Sequence, residues 1–225
     1  MPVCCFKQQG TMTLYSYIVV HDNGFAPNPF FGYCTLACCK PLIRRTAQKG
    51  DWIVGLTPKG QGNGVVYFMR VDEIMDFHDY WSDERFRQKR PRHDKDLQHS
   101  YGDNIYEPLP GGGFRQLPSK HSENDCEHAA NKAHDLGGRN VLVSENFAYF
   151  GSKPLPLPSE LECLIAGRGH RCRFSDDEKV RFLEFVSRQP FGVHASPRKW
   201  SDRDNFWIPG VCGKKSTPSR SVRCA

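Results

Sequence analysis

The sequence predicts an α+β fold: one domain on a twisted or partly closed mixed sheet, with helices packed around it. Three observations carry this reading. Short β-branched and aromatic runs recur, as in "LYSYIVVH" (14–21) and "NVLVSENFAYFG" (140–151). One segment, "SDDEKVRFLEFVSRQP" (175–190), has the marks of an amphipathic helix. The chain has 225 residues, 38% hydrophobic and 12% aromatic, which is enough to build a real core.

The elements follow in order. "LYSYIVVH" alternates and reads as a strand. Pro41 can open a short helix, "PLIRRTAQK", that Gly50 ends. "DWIVGLT" (51–57) and "VVYFMRVDEIM" (65–75) read as two strands of a hairpin, turned at Gly60, Gly62 and Gly64. "DFHDYWSDERFRQKR" (76–90) places Phe77, Tyr80, Trp81 and Phe86 near helical spacing, a short amphipathic helix with a basic end. From Pro91 to Ser122 the pattern weakens into a long loop marked by Pro108, Pro110, Gly111–Gly113 and Pro118; such loops are often functional. "NVLVSENFAYFG" returns to strand, and "PLPLPSELECL" (154–164) gives a proline-rich link and a short helix. In the last helix Ser175 caps, Glu178 completes a capping box, and Val180, Leu183 and Val186 form an apolar stripe. Gln189-Pro190 stops it. Residues 1–11 read as a flexible extension, with Met12 a candidate original start. Residues 12–208 form the domain, and 209–225 a basic flexible tail.

The formal charge of +6 permits an anionic partner: a phosphate, a nucleotide or a nucleic acid. Ten cysteines include the adjacent pairs Cys4-Cys5 and Cys38-Cys39. The chain is not small, and "MPVCCFKQQGTM" has no secretory pattern. No apolar run approaches the roughly 18 residues that span a membrane. The expectation is a cytoplasmic protein with mostly reduced thiols and no membrane contact. No GxxxxGK[ST] loop occurs, nor a GxGxxG after a strand, and "GQGNG" (60–64) is explained by a hairpin turn. Neither a P-loop NTPase nor a dinucleotide-dependent dehydrogenase is supported.

The stretch "DNGFAPNPFFGYCTLACCKP" (22–41) is irregular, apolar and almost uncharged. Pro27 and Pro29 stiffen the backbone around Asn28. Such a loop either shapes a pocket for a flat ring or plugs the core with Phe25, Phe30 and Phe31. In the pocket reading, Phe25, Phe30, Tyr80 or Trp81 stacks on a base. Asn28, Asp103 and Asn104 (from "YGDNIYEP", 101–108) read its edge, although an Asp-Asn pair also makes an ordinary turn. Arg44, Arg45, Arg85 and Lys89 are the candidate phosphate ligands, the last two from the basic run "RFRQKRPRH" (85–93), which otherwise is a solvated face.

The segment "LPSKHSENDCEHAANKAHDLGGRNV" (117–141) holds His121, Cys126 and His128 at a spacing of no common zinc module, so no metal and no cofactor is expected. His121, between Ser119 and Ser122, is a candidate general acid or base that Asp135 can orient. Cys34, Cys38 and Cys39 are either small buried hydrophobes or, at the start of the Pro41 helix beside Lys40, candidate nucleophiles.

"YSYIVVHDNGFAPNPFFGYCTLACCKPLIRRTAQKGDWIVG" (15–55) resembles the opening of the second nucleotide modification-associated domain family. "VVYFMRVDEIMDFHDYWSDERFRQKRP" (65–91), "YGDNIY" (101–106), "SKHS" (119–122) and "NVLVSENFAYFG" fit the same pattern in the same order, so the likeness spans nearly the whole chain. Cys38 departs from it, standing where the family form "CTLATCKP" has threonine; this weakens residue 38 as a nucleophile. The resemblance implies a context of DNA base modification or modified-nucleotide handling, without a settled reaction. "KGDWIVGL" (49–56) also looks like the strand entry of PUA and ASCH-type barrels, which implies a barrel-like closure and a base pocket. Two functional expectations follow. The first is recognition of a nucleobase or nucleotide, plain or modified, with DNA favoured over RNA. The second is an enzyme that alters a modified nucleotide with His121 and Asp103 as acid–base pair, which requires the two to meet within about 3 Å. A purely structural or partner-binding protein is the third reading.

Overall fold

The computed structural model describes residues 12–201; the extension 1–11 and the tail 209–225 lie outside the described residues. In chain order the elements are β1 (Leu14–Ile18), β2 (Cys34–Leu36), α1 (Pro41–Thr46), β3 (Trp52–Leu56), β4 (Val65–Arg70), β5 (Glu73–Asp76), α2 (Phe77–Ser82) and α3 (Leu97–Ser100). There follow β6 (Tyr106–Pro108), β7 (Phe114–Gln116), α4 (Ala129–Leu136), β8 (Asn140–Ser144), β9 (Phe147–Tyr149), β10 (His170–Arg171), α5 (Asp176–Ser187) and β11 (Gly192–Val193). Short 3-10 segments of one or two turns cover Lys59–Gln61, Glu84–Lys89, Ser159–Leu164 and Arg198–Ser201.

A six-stranded mixed sheet runs β10-β1-β3-β4-β9-β11. The strand pairs β1–β3 and β9–β11 are parallel; the others are antiparallel, including the expected β3–β4 hairpin. The sheet is open. Its outer strands β10 and β11 offer two residues each and stand at opposite edges, so the fold is α+β without the barrel closure. A three-stranded antiparallel sheet, β2-β8-β5, and the β6–β7 hairpin complete the architecture.

Alternation along the central strands fills both faces of the large sheet. Tyr15, Tyr17, Ile53, Tyr67 and Met69 point to a core shared with α1 and the small sheet. Leu14, Val54, Leu56 and Phe68 point to a second core, closed by α5 and the Ser159–Leu164 turn. A third core, with Phe77, Tyr80, Phe86 and Tyr106, lies beyond the small sheet.

Local chemistry shortens several sequence-predicted elements. The run 65–75 breaks into β4 and β5, and 140–151 into β8 and β9, at one shared corner. There the Asp72 carboxylate accepts N–H groups from Glu145 (2.9 Å), Asn146 (3.1 Å) and the Asn146 side chain (3.0 Å). Beyond it the β4–β9 ladder of the large sheet becomes the β5–β8 ladder of the small one. The helix expected over 76–90 ends at Ser82, because Asp83 accepts from the Arg85 N–H and starts a 3-10 turn instead. The long loop contains α3 and the β6–β7 hairpin. Helix α5 has the expected capping box, but Val180 is 52% exposed and Leu183 38%. It docks through Phe182 and Val186 because the Phe182 ring reaches Trp52, with centroids 5.9 Å apart.

Candidate active site

After β2 the chain turns through Cys38 and Cys39 into α1. Cys39 and Lys40 both have positive φ, 59° and 41°, a conformation costly for residues with a side chain. Surrounding bonds hold them there. The Cys39 N–H donates to Asp135 Oδ1 (2.7 Å), and its carbonyl accepts from Arg44 Nε (2.7 Å). Arg44 is fully buried; its fork also donates to the carbonyls of Asn140 (2.8 Å) and Asp135. A β-carbon on Gly138 would lie 2.4 Å from the Arg44 guanidinium carbon, so any side chain there would push the guanidinium off its carbonyl partners.

Asp135, near the end of α4, is buried and serves three donors. Besides the Cys39 amide, its carboxylate accepts from Tyr106 OH (2.8 Å) and His121 Nδ1 (2.6 Å). The His121 backbone is held by Ser119 Oγ, which accepts its N–H (3.3 Å), and by Asn131 Nδ2, which donates to its carbonyl (3.0 Å). Phe25 packs edge-on against the imidazole, with centroids 4.8 Å apart. His121 Nε2 lies 3.4 Å from Cys39 Sγ. Sulfur, imidazole and carboxylate therefore stand in line.

Electrostatics support a charged pair. Burial works against the His121 imidazolium, but the Asp135 carboxylate, then Cys39, outweigh it and raise the ring to about 10. Burial likewise opposes the Asp135 carboxylate, yet His121, the Cys39 amide and Tyr106 hold it below the usual carboxylate range. At neutral pH the pair is imidazolium and carboxylate.

Cys39 opens onto a cleft of about 440 Å³, between Tyr17–His21, the start of α1 and Gly169–His170. The walls are mostly apolar. Their ionisable side chains besides Cys39 and Tyr17 are Lys40, His21, His134 and His170. Lys40 Nζ lies 4.3 Å from the Tyr17 ring centre. Cys38, in contrast, is fully buried: its thiol faces the Asp103 carbonyl at 3.7 Å, and burial pushes it well above an ordinary thiol. Cys38, His121 and Asp135 each bring a ligand atom within 4.8 Å of the others, the one such cluster among the described residues. Its carboxylate and imidazole already bond to each other.

The residues nominated as base readers lie mainly inside the protein. Asn28 exchanges backbone bonds with Thr35, and its Nδ2 donates to the carbonyls of Gly24 and Tyr101 (3.0 Å each). Its Oδ1 accepts from the buried Lys89 ammonium (2.6 Å), which also donates to the carbonyls of Asn28 (3.0 Å) and Tyr33 (2.9 Å). Burial pushes Lys89 down to about 8, against the pull of Asp103. The Asp103 carboxylate accepts from Thr35 Oγ1 and Tyr80 OH, both at 2.7 Å. Asn104 Nδ2 donates to the carbonyls of Tyr80 (2.9 Å) and Phe86 (3.3 Å). Asn28, Tyr80, Lys89, Asp103 and Asn104 thus form one internal polar network. The carboxylate on His121 is Asp135, and the expected His121–Asp103 pair is replaced because Thr35 and Tyr80 occupy Asp103.

The remaining candidates are dispersed. Phe30 is buried and stacks on Trp200, with centroids 5.3 Å apart. Trp81 carries the Arg90 guanidinium over its ring at 4.1 Å. Arg85 forks onto Glu73 and Asp83, and Arg45 is exposed on α1. Of the assembled site, His121, Asp135 and Cys39 were visible as residue types in the sequence. Tyr106, Gln116 (whose Nε2 donates to Tyr106 OH, 3.3 Å) and the cleft walls carried no signal beyond their place in a strand or loop.

Among the described residues no helix is long and apolar enough to cross a membrane. Searches of curated proteins and of solved structures find no match. The family model described as nucleotide modification associated domain 2 matches residues 11–204. That match covers the whole of the fold and the Cys39–His121–Asp135 site, and the chain belongs to this family.

Proposed function

We propose that the chain is a cysteine-dependent enzyme that alters a nucleotide or nucleobase, modified or awaiting modification. The single observation behind this is the line Cys39 Sγ, His121 and Asp135, with contacts of 3.4 and 2.6 Å, at the wall of a cleft. Cys39 acts as nucleophile on an electrophilic carbon of the base or its substituent. His121 holds the proton that leaves the sulfur and delivers it to the departing group. Asp135 fixes the ring with Nδ1–H inward and Nε2 toward sulfur, and keeps the imidazolium stable. Water then attacks the thiol-bound intermediate with His121 as base, which restores the free cysteine.

Recognition belongs to the same cleft. Its apolar walls suit a flat heterocycle, and Lys40 with three histidines suits the polar edge or charge that the heterocycle carries. This reading moves base contact from loop 22–31 to the cleft beside Cys39. It keeps a DNA or free-nucleotide substrate within the family's nucleotide-modification context.

Alkylation by iodoacetamide, followed by intact and peptide mass spectrometry, tests the chemistry. Cys39 should react fastest of the described cysteines, and His121→Ala should slow it by about tenfold or more. Equal labelling rates at Cys39 and Cys163, unchanged by His121→Ala, would refute the nucleophile assignment. Native mass spectrometry covers the competing use of the cluster: a zinc ion retained by the native chain and lost in Cys38→Ala would replace the thiol mechanism with a metal site.

A further inference from the structure

Beside the catalytic cleft lies a second hollow of about 250 Å³, lined by His21, Asn23, Tyr101, Lys120 and Lys199. It differs from its neighbour in character. Two ammonium groups and an imidazole face it, and no carboxylate is among its described lining residues. Asp22, adjacent in sequence, turns its carboxylate away, to Tyr149 OH and to the Arg198 N–H (2.9 Å).

The frame of the hollow is fixed. The Lys199 N–H donates to the Asp22 carbonyl (2.8 Å), and Trp200 Nε1 to the Asn23 carbonyl (2.9 Å). Asn23 Oδ1 accepts from the Phe25 N–H (3.1 Å). The two lysines, far apart in sequence, are thus brought to one small concavity, where among the described residues neither meets a carboxylate. Burial, and then the nearby Lys199 charge, disfavours the Lys120 ammonium. A bound anion would relieve that repulsion.

Its position relates it to the chemistry. His21 lines both hollows, and Lys120 directly precedes His121 in the chain. We infer that this hollow is a phosphate subsite, in which Lys120, Lys199 and His21 hold the phosphate of a substrate whose base lies beside Cys39. The inference rests on the proposed function for the identity of the base-bearing part, but the phosphate site itself needs no thiol chemistry. Two sources share this ligand chemistry, the terminal phosphate of a free nucleotide and the diester backbone of a strand.

Calorimetric titration of the native chain at low salt separates them. The probes are inorganic phosphate, the four deoxynucleoside 5′-monophosphates, the matching nucleosides and a mixed-sequence single-stranded DNA oligonucleotide. A monophosphate should bind about tenfold more tightly than its nucleoside if the subsite serves free nucleotides. If it serves a strand, the oligonucleotide alone should bind, with an affinity that falls as salt rises. In either case the Lys120→Gln/Lys199→Gln double variant, with its melting temperature checked against the native chain, should lose that advantage. The proposal is overturned if the native chain binds no phosphate-bearing probe. It is also overturned if the folded double variant binds them as well as the native chain. Iodoacetamide labelling of Cys39 in the native chain decides the thiol mechanism separately, so failure of one reading does not hide failure of the other.

Discussion

At the scale of single residues, His121 is governed by a contest between burial and Asp135. In Asp135→Asn the larger raising influence is gone, and burial is opposed only by Cys39. The imidazole, raised to about 10 in the native chain, should then titrate well below that value, as followed by NMR of the ring protons. The sign for stability follows. A folded-state value above the unfolded one means the His121 contribution is fully present below about pH 6.5. It is lost as pH rises through about 10. Denaturation of the native chain and of His121→Gln should therefore show a stability gap that shrinks between those limits; a gap that widens would contradict the pairing. His121 and Asp135 were visible as a possible pair, but a histidine in such a loop reads equally well as a surface group, and only the fold brings the two to 2.6 Å. Asp103 was equally conspicuous, yet its partners Thr35 and Tyr80 come from 68 and 23 positions away, and nothing local announces them.

At the scale of elements, the loop 22–31 buries Phe25 and Phe30, and what its polar groups meet was the part the sequence left open. Its proline-flanked asparagine looks the same whether its amide meets a ligand or the protein. Here it meets the Lys89 ammonium and the carbonyls of Gly24 and Tyr101. Asn28→Ala should therefore cost about 3 kcal/mol of stability in urea denaturation, because it strands a buried charged donor and two carbonyls. An unchanged midpoint, with loss of nucleotide binding alone, would return Asn28 to a reading role. Helix α5 shows the opposite balance. Its capping box depends on residues three apart and was visible at once, whereas its docking face depended on which ring Trp52 could meet.

At the scale of the whole molecule, strand pairing is what the sequence conceals. Segments 65–75 and 140–151 each read as one strand, and each is two, because their shared corner is made by Asp72 reaching across the fold. Asp72→Ala leaves three N–H groups without their acceptor. It should cost about 2–3 kcal/mol and speed amide exchange in β5 and β8 more than in β1 and β3. Uniform exchange across both sheets would show that the corner does not couple them. The open large sheet and the separate small one could not be told from a closed barrel by strand content, since closure is decided at edges only two residues long.

The Cys39 amide is anchored by a carboxylate 96 positions further along, and the arginine that steadies the same bend reaches the same distant helix. During synthesis the sulfur emerges long before its partners exist. On the proposed mechanism, a nascent or truncated chain that ends before α4 carries an unaligned thiol, and the alignment waits until the middle stretch from His121 to Leu136 has been made and docked.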